Sequence, residues 1–269
     1  MTQGGETVEK RFYFIVVEGR PDSKVIDRLL RKKKFIRREF RELIDPVWDV
    51  LIPKDFPAKK GEKLTSPVPV PSFYEKNHQS VAVQNFGDWT ACLKKLKASI
   101  DSMEGRIRAP SATCLVLDAD DKTAAECFDK LQQETDYDFG ASAGEFGAGP
   151  MRCGAYFLPN NVDPGTLEQL LLEQAHRAYP RLKAGAENFL LHIFNEPDTY
   201  LPRAKDRESI NKPVGKEKML LSTMSAVLKP EKGLSISIQD NDWFRFADGE
   251  VRGTHTKKLN EFLTRFLNL

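Results

Sequence analysis

The segment RFYFIVVEGRPD at residues 11–22 constrains the fold more than any other stretch of the chain. Phe12 to Val17 form a continuous run of aromatic and β-branched residues, closed by Glu18-Gly19. Such a run suits a strand buried on both faces, as in a parallel sheet covered by helices. Pro21 then stands near a helix start, with Val25, Ile26, Leu29 and Leu30 on one helical face behind it. A strand handing over to a helix in this way is half of a βαβ unit. It also leaves a carboxylate, Glu18, where the chain quits the sheet, and a second, Asp22, four positions on.

Three further segments repeat the pattern. SVAVQNF (80–86) precedes helical DWTACLKKLKASIDSM, and ATCLVLDADD (112–121) precedes TAAECFDKLQQE. CGAYFLPNN (153–161) precedes GTLEQLLLEQAHRAY, with Leu167, Leu170 and Leu171 turned inward. Together these repeats predict an α/β fold, a Rossmann-like parallel sheet flanked by helices on both faces. The proline- and lysine-rich stretch from Pro53 reads as an extended insertion over about residues 53–80. GASAGEFGAGP (140–150) lacks a GxxxxGK or GxGxxG frame and reads as a plain loop. Beyond residue 180 the alternation fades into a helical and mixed elaboration. KEKMLLSTMSAVL is helical, SISIQDNDWFRF is mixed, and TKKLNEFLTRFLNL is a closing amphipathic helix. The expected organisation is a core over 1–180 and an elaboration over 181–269 packed on it.

Composition bounds the function classes. Hydrophobic residues are 40% of the 269 and charged residues 30%, enough for a sizeable core. No apolar run approaches the ~20 residues of a membrane span, and the N-terminus has no signal-peptide pattern. The four cysteines show no CxxC pairing, which argues against structural zinc and a disulfide framework. These features predict a cytoplasmic protein without a membrane partner. Net charge is only +2, so no global field points to nucleic acid. The basic residues Arg28, Arg31, Lys32, Lys33, Lys34, Arg37, Arg38 and Arg41 are nevertheless clustered. They suit either a phosphate-contacting edge or a solvated helix face.

Ligands of open parallel sheets bind outside the carboxyl ends of the strands. Glu18 and Asp22 follow the first strand, Asp118, Asp120 and Asp121 the third, and Asn160, Asn161 and then Glu168 the fourth. Asp118 and Asp120 flank Ala119, so an extended backbone would turn both to one side. Carboxylates crowded at one rim repel one another unless some are protonated or a cation joins them. With no histidine or cysteine among them, a hard cation such as Mg²⁺ or Mn²⁺ fits best. The alternative is that each acidic group caps a helix and faces solvent.

VVEGRPD, followed about 100 residues later by LVLDADD, resembles the Toprim domain of type IA topoisomerases, bacterial primases and OLD-family nucleases. CGAYFLPNNVDPGTLEQLLL narrows the likeness to small stand-alone Toprim proteins allied to the OLD nucleases. The resemblance covers roughly residues 10–175 and, more loosely, 216–226. It implies metal-dependent phosphodiester chemistry on DNA or RNA with two ions. Glu18 would be a metal ligand or general base, Asp118 and Asp120 would hold the principal ion, and Asp22 and Glu168 the second. Lys218 resembles a family lysine that meets the scissile phosphate, and it also suits a surface helix. Relatives often carry Pro-Asp-Asn where this chain has Pro159-Asn160-Asn161, which removes one carboxylate from the second ion's set. The resemblance further implies a nucleic-acid partner, a separate ATPase chain in a phage-defence setting, and homodimers. Two alternatives stay open: a Toprim scaffold that binds without turnover, and a small-molecule phosphotransferase.

Overall fold

The computed structural model describes residues 9–57, 61–64, 70–104, 109–208, 210–244 and 250–269. Parts of the proline-rich insertion and the end of SISIQDNDWFRF lie outside them. The chain divides into two compact units, each discontinuous in sequence. The first comprises Met1–Leu117, Phe128–Tyr156 and Leu263–Leu269, and the second Asp118–Cys127 and Phe157–Phe262.

The first unit is organised by β1 (Arg11–Val17), whose residues from Phe12 onward are all buried. Helix α1 (Arg20–Lys32) follows and buries Val25, Ile26, Leu29 and Leu30, the predicted face. Next come β2 (Ile36–Arg38), β3 (Ser72–Lys76), β4 (Gln79–Asn85), α2 (Trp89–Glu104), β5 (Ala112–Asp118), α3 (Ala124–Glu134) and β6 (Arg152–Leu158). The six strands form one sheet in the order β2-β3-β4-β1-β5-β6. β1 runs parallel to both β4 and β5, with Val17 opposite Asn85 on one side and Val116 on the other.

The predicted sheet is thus present, with an addition. β2 and β3 run antiparallel at one margin, and β3 lies within the stretch read as an extended insertion. A two-residue turn joins β3 to β4, and Asn77 there adopts φ +50°, a conformation asparagine tolerates well. A five-residue strand carries a weak periodic signal, and FYEK stands beside prolines that favour a loop.

Lateral neighbours on a sheet share a face. Tyr13, Val81, Tyr74 and Arg37 form such a row. The Tyr13 hydroxyl donates to the Leu267 carbonyl (3.3 Å) and the Tyr74 hydroxyl to Asp27 of α1 (2.6 Å). That face therefore carries α1 and the C-terminal residues. Phe12, Phe14 and Ser80 point the other way, onto a 3-10 turn at Pro46–Leu51. Trp48 of that turn is fully buried, and its indole N–H donates to Ser80 Oγ at 2.8 Å. Buried indoles ordinarily find such a partner.

The second unit is mainly helical. It holds α4 (Leu167–Ala178), α5 (Pro180–Asn195), the short α6 (Pro197–Tyr200) and α7 (Ala204–Arg207), α8 (Gly215–Leu228) and α9 (Leu234–Asp240). The first nine residues of α10 (Thr254–Phe266) also belong to it. The segment read as mixed is helical at its start, where Ile238 and Ser237 are buried and Ser237 accepts the Trp243 indole N–H. Among the described residues no helix is long and apolar enough to cross a membrane.

All four cysteines are buried as free thiols. Burial pushes Cys153 up to about 12 and holds Cys114 well above its ordinary value. A thiol kept protonated is a poor nucleophile. The native protein should therefore leave a disulfide-exchange reagent unreacted at pH 8 and yield four thiols in denaturant. Above about pH 9 unfolded thiols ionise while these stay protonated, so the unfolded state binds fewer protons and stability falls as pH rises. Urea midpoints at pH 8 and pH 10 should converge in Cys153→Ala relative to wild type, and an unchanged gap would refute the assignment.

Candidate functional site

In the first unit the turn after β1 is built by its own acidic residue. Asp22 Oδ2 accepts the Gly19 N–H at 3.0 Å, and Asp22 is itself buried. A Cβ on Gly19 would lie 2.7 Å from that oxygen, so the Glu-Gly-x-x-Asp spacing reflects close approach of carboxylate to backbone. An anion here also faces the positive end of α1. Glu18 is half-buried, and its carbonyl accepts the Gly87 N–H at 3.0 Å, one step beyond the Phe86 N–H to Val17 bond (3.1 Å). The ladder with the β4 side thus continues past the strand and fixes the Glu18 backbone. The electrostatics of this corner register on Cys92 of α2. Burial pushes its thiol up to about 12, and the charges of Glu18, Asp22 and Asp88 add to the effect.

In the second unit Asp118 ends β5 and its Oδ1 accepts the Leu167 N–H at 2.9 Å, which caps α4. The N–H groups of Ala119 and Asp120 both donate to the Gly165 carbonyl, at 3.0 and 2.8 Å. Gly165 sits at φ +141°, and a Cβ there would meet Pro159 Cδ at 3.0 Å. Asp120 itself adopts φ +55°. The expectation that Asp118 and Asp120 share a side of an extended strand is therefore corrected, because strand alternation ends where Asp120 turns left-handed. Glu168 of α4 is mostly buried and stands 3.8 Å from Lys218 Nζ of α8, whose side chain is largely exposed. The structure thus brings Glu168 and Lys218 together, as a loose pair of the kind that contributes little stability.

The strand pairing puts the ends of β1 and β5 at the same edge of the sheet. Among the described residues, no three histidine, cysteine, aspartate or glutamate side chains stand arranged to hold a metal ion. The donor chemistry is nonetheless hard oxygen throughout, and the nearby thiol, Cys92, stays protonated.

Asn160 explains its own departure from Asp. Its Oδ1 accepts the N–H groups of Val162 (3.0 Å) and Asp163 (2.9 Å), and its Nδ2 donates to Asp163 Oδ2 at 2.6 Å. A carboxylate could keep the first two bonds but would face another carboxylate at the third. Asn161, at φ +63°, accepts the Phe157 N–H and closes the same loop. Two capping boxes, Thr123 with Glu126 and Thr166 with Gln169, complete the loops. Their T-x-x-E/Q spacing is a signal legible in the sequence.

The basic cluster does not form one helix face. α1 ends at Lys32, Lys34 turns at φ +67°, and Arg37 and Arg38 lie on edge strand β2. Arg31 is committed to the buried Asp27, and Arg38 to Glu75, at 3.0 and 2.9 Å. Lys33 contacts the Thr264 hydroxyl, and its ammonium is lowered to about 8, by burial first and then by Lys32 and Lys76. Lys34 is exposed. The glycine-rich loop also spends its amides internally. Gly144 and Gly147 donate along the outer edge of β6, and Gly140 and Ala148 donate to Asp138, so it forms no phosphate nest.

These features define an α/β protein with acidic residues at or just beyond the ends of sheet strands. Residues 13–268 match the family described as protein of unknown function DUF3226, and the chain belongs to that family. A crystal structure of a hypothetical protein from Pyrococcus horikoshii OT3 is similar, with a TM-score of 0.53 at 18% identity over 95% of each chain. At that identity the likeness concerns the fold alone. No curated protein matches the chain significantly.

Asn160→Asp should destabilise the protein by about 1–3 kcal/mol, the usual cost of a lost buried hydrogen bond. Melting temperature should drop by several degrees, and Asn160→Asp with Asp163→Asn should recover most of the loss. No recovery in the double variant would show that the pair is not coupled.

Proposed function

We propose that this protein is a Toprim-type phosphodiester hydrolase that depends on Mg²⁺ or Mn²⁺ and acts on DNA or RNA in the cytoplasm. The observation that carries the reading is the parallel pairing of β1 with β5, Val17 opposite Val116, since it sends Glu18 and Asp118 out of the sheet at one edge. Glu18, Asp118 and Asp120 would hold the principal ion, with Asp22 and Glu168 serving the second. Bound divalent ions supply an activated water and neutralise charge on the phosphoryl group. The chain's own contribution is positional. Gly19 and Asp22 fix the turn after β1, Gly165 fixes the loop carrying Asp120, and Lys218 offers a cation to a substrate phosphate.

A second reading is favoured by the capping bonds of Asp22 and Asp118. In it the carboxylates only terminate helices, and the protein is a nucleic-acid-binding scaffold that works with an ATPase partner.

Asp118→Asn separates the two. An amide oxygen can still accept the Leu167 N–H, so the fold should persist while an anionic ligand is lost. Incubation with plasmid, single-stranded DNA and RNA, with Mg²⁺, Mn²⁺ or EDTA, should show cleavage by wild type. The variant should lose it by orders of magnitude. A folded variant that cleaves as well as wild type would remove the acidic residues from the chemistry. A wild type that binds nucleic acid and cleaves none of these substrates would establish the scaffold. For the basic region, Lys34→Glu should flatten the salt dependence of nucleic-acid binding by about one phosphate's share. Arg38→Glu should instead lower melting temperature by setting a second carboxylate beside Glu75, which then keeps Lys10 as its cation, and a reversal of these two effects would contradict the pairing seen.

A further inference from the structure

In the second unit α5 packs on α4 and α8 through one face, where Ala186 and Leu190 are buried. Turned away from that face is a stripe at helical spacing: Arg181, Gly185, Asn188, Phe189, His192 and Glu196, every one of them exposed. Phe189 stands at the middle of the stripe and is 60% exposed. The charges at its two ends are placed against their own helix. Arg181 lies in the first turn of α5, at the positive end of the helix dipole, and Glu196 caps the last turn, at the negative end. The α6 that starts after Glu196 has only four residues and offers little relief. Lys183 in the same first turn is answered by Glu187, but among the described residues neither Arg181 nor Glu196 has an ion-pair partner. Gly185 adds an open notch, since a Cβ there would meet nothing within 4 Å.

We infer that this stripe joins two copies of the chain, α5 against α5, in antiparallel pairing about a two-fold axis. A two-fold contact uses the same patch on both partners, so one register fixes every facing pair. With Arg181 opposite the partner's Glu196, Gly185 faces the partner's His192 and the axis passes between Asn188 and Phe189. The two Phe189 rings then meet at the axis, the centre of the contact, where interface anchors concentrate. Aromatic pairs of this kind add to the area they bury. Gly185, having no side chain, admits the partner's imidazole. Antiparallel pairing also corrects the charges, bringing each Arg181 to the negative end of the partner's helix and each Glu196 to its positive end. A parallel pair would set Arg181 beside Arg181 and correct nothing. The 16 residues of α5 span about 24 Å, so the contact is small and the dimer depends on concentration. The pairing owes nothing to metal chemistry and is independent of the hydrolase reading.

Sedimentation equilibrium of the full chain reads the association. Wild type should be largely dimeric at about 100 μM. Phe189→Ala should weaken the dimer by about tenfold or more. Arg181→Glu and Glu196→Arg should each weaken it by about threefold or more, because each sets like charges opposite one another at both ends of the contact. An equimolar mixture of these two variants should associate as well as wild type, since the mixed dimer regains an opposite pair at each end. A loss of folding would not be repaired by mixing, and circular dichroism checks that the variants, all at exposed positions, keep their helices. Cross-linking gives a second measurement. Asn188→Cys, beside the axis, should form a disulfide with its own copy on oxidation, and Ala184→Cys, a turn away on each helix, should not. The four native cysteines are buried and do not compete. A wild type that stays monomeric at about 100 μM overturns the proposal. So does a folded Phe189→Ala that dimerises like wild type, a mixture that restores nothing, or a cross-link at Ala184→Cys in place of Asn188→Cys.

Discussion

The pairing of β1 between two parallel neighbours is the constraint on which the rest depends. β4 and β5 satisfy its backbone on both edges, and α1 with the C-terminal residues and the Trp48 turn cover its two faces. A strand so enclosed must be apolar throughout, which Phe12 to Val17 are. It can present polar chemistry only where it stops. The bonds from Phe86 and Gly87 carry the pairing one residue further, so Glu18 leaves the sheet from a fixed backbone. Loops at this edge can vary in sequence while the point of departure stays put.

Two acidic residues at strand ends are engaged by hydrogen bonds from backbone N–H groups. Asp22 takes the Gly19 N–H at the start of α1, and Asp118 takes that of Leu167 at the start of α4. Both bonds place the carboxylate at the positive end of a helix. Asn160 is the complementary case, an amide where an added charge would oppose Asp163.

The cationic residues are used quite differently from what their density suggests. Asp27, almost completely buried, is held by Arg31 and by the Tyr74 hydroxyl, and Glu75 is shared by Lys10 and Arg38. A buried carboxylate needs such partners, and the arginines that answer the need are diverted from any external phosphate. Counting basic residues therefore overstates the binding surface of this region.

What the sequence determined by itself were the elements whose burial is written into a continuous run: β1, β4, β5 and β6, and the apolar faces of α1 and α4. Glycine and proline at their ends carried the boundaries, and the order of elements carried the placement of Glu18, Asp118 and Glu168 after strands. Tertiary structure alone decided the rest. β2 has three residues and β3 five, too few for a period, and they exist because β4 offers β3 an edge and β3 in turn offers one to β2. Asp120 turns left-handed because its N–H and that of Ala119 are drawn to one carbonyl, Gly165, 45 residues downstream of it in the chain. Arg38 and Lys33 looked like surface cations until Glu75 and Thr264 came beside them. The physical reason is common to all of these. Local patterns record whether a residue is buried, whereas partners distant in sequence, which fix conformation, charge and available surface, leave no local trace.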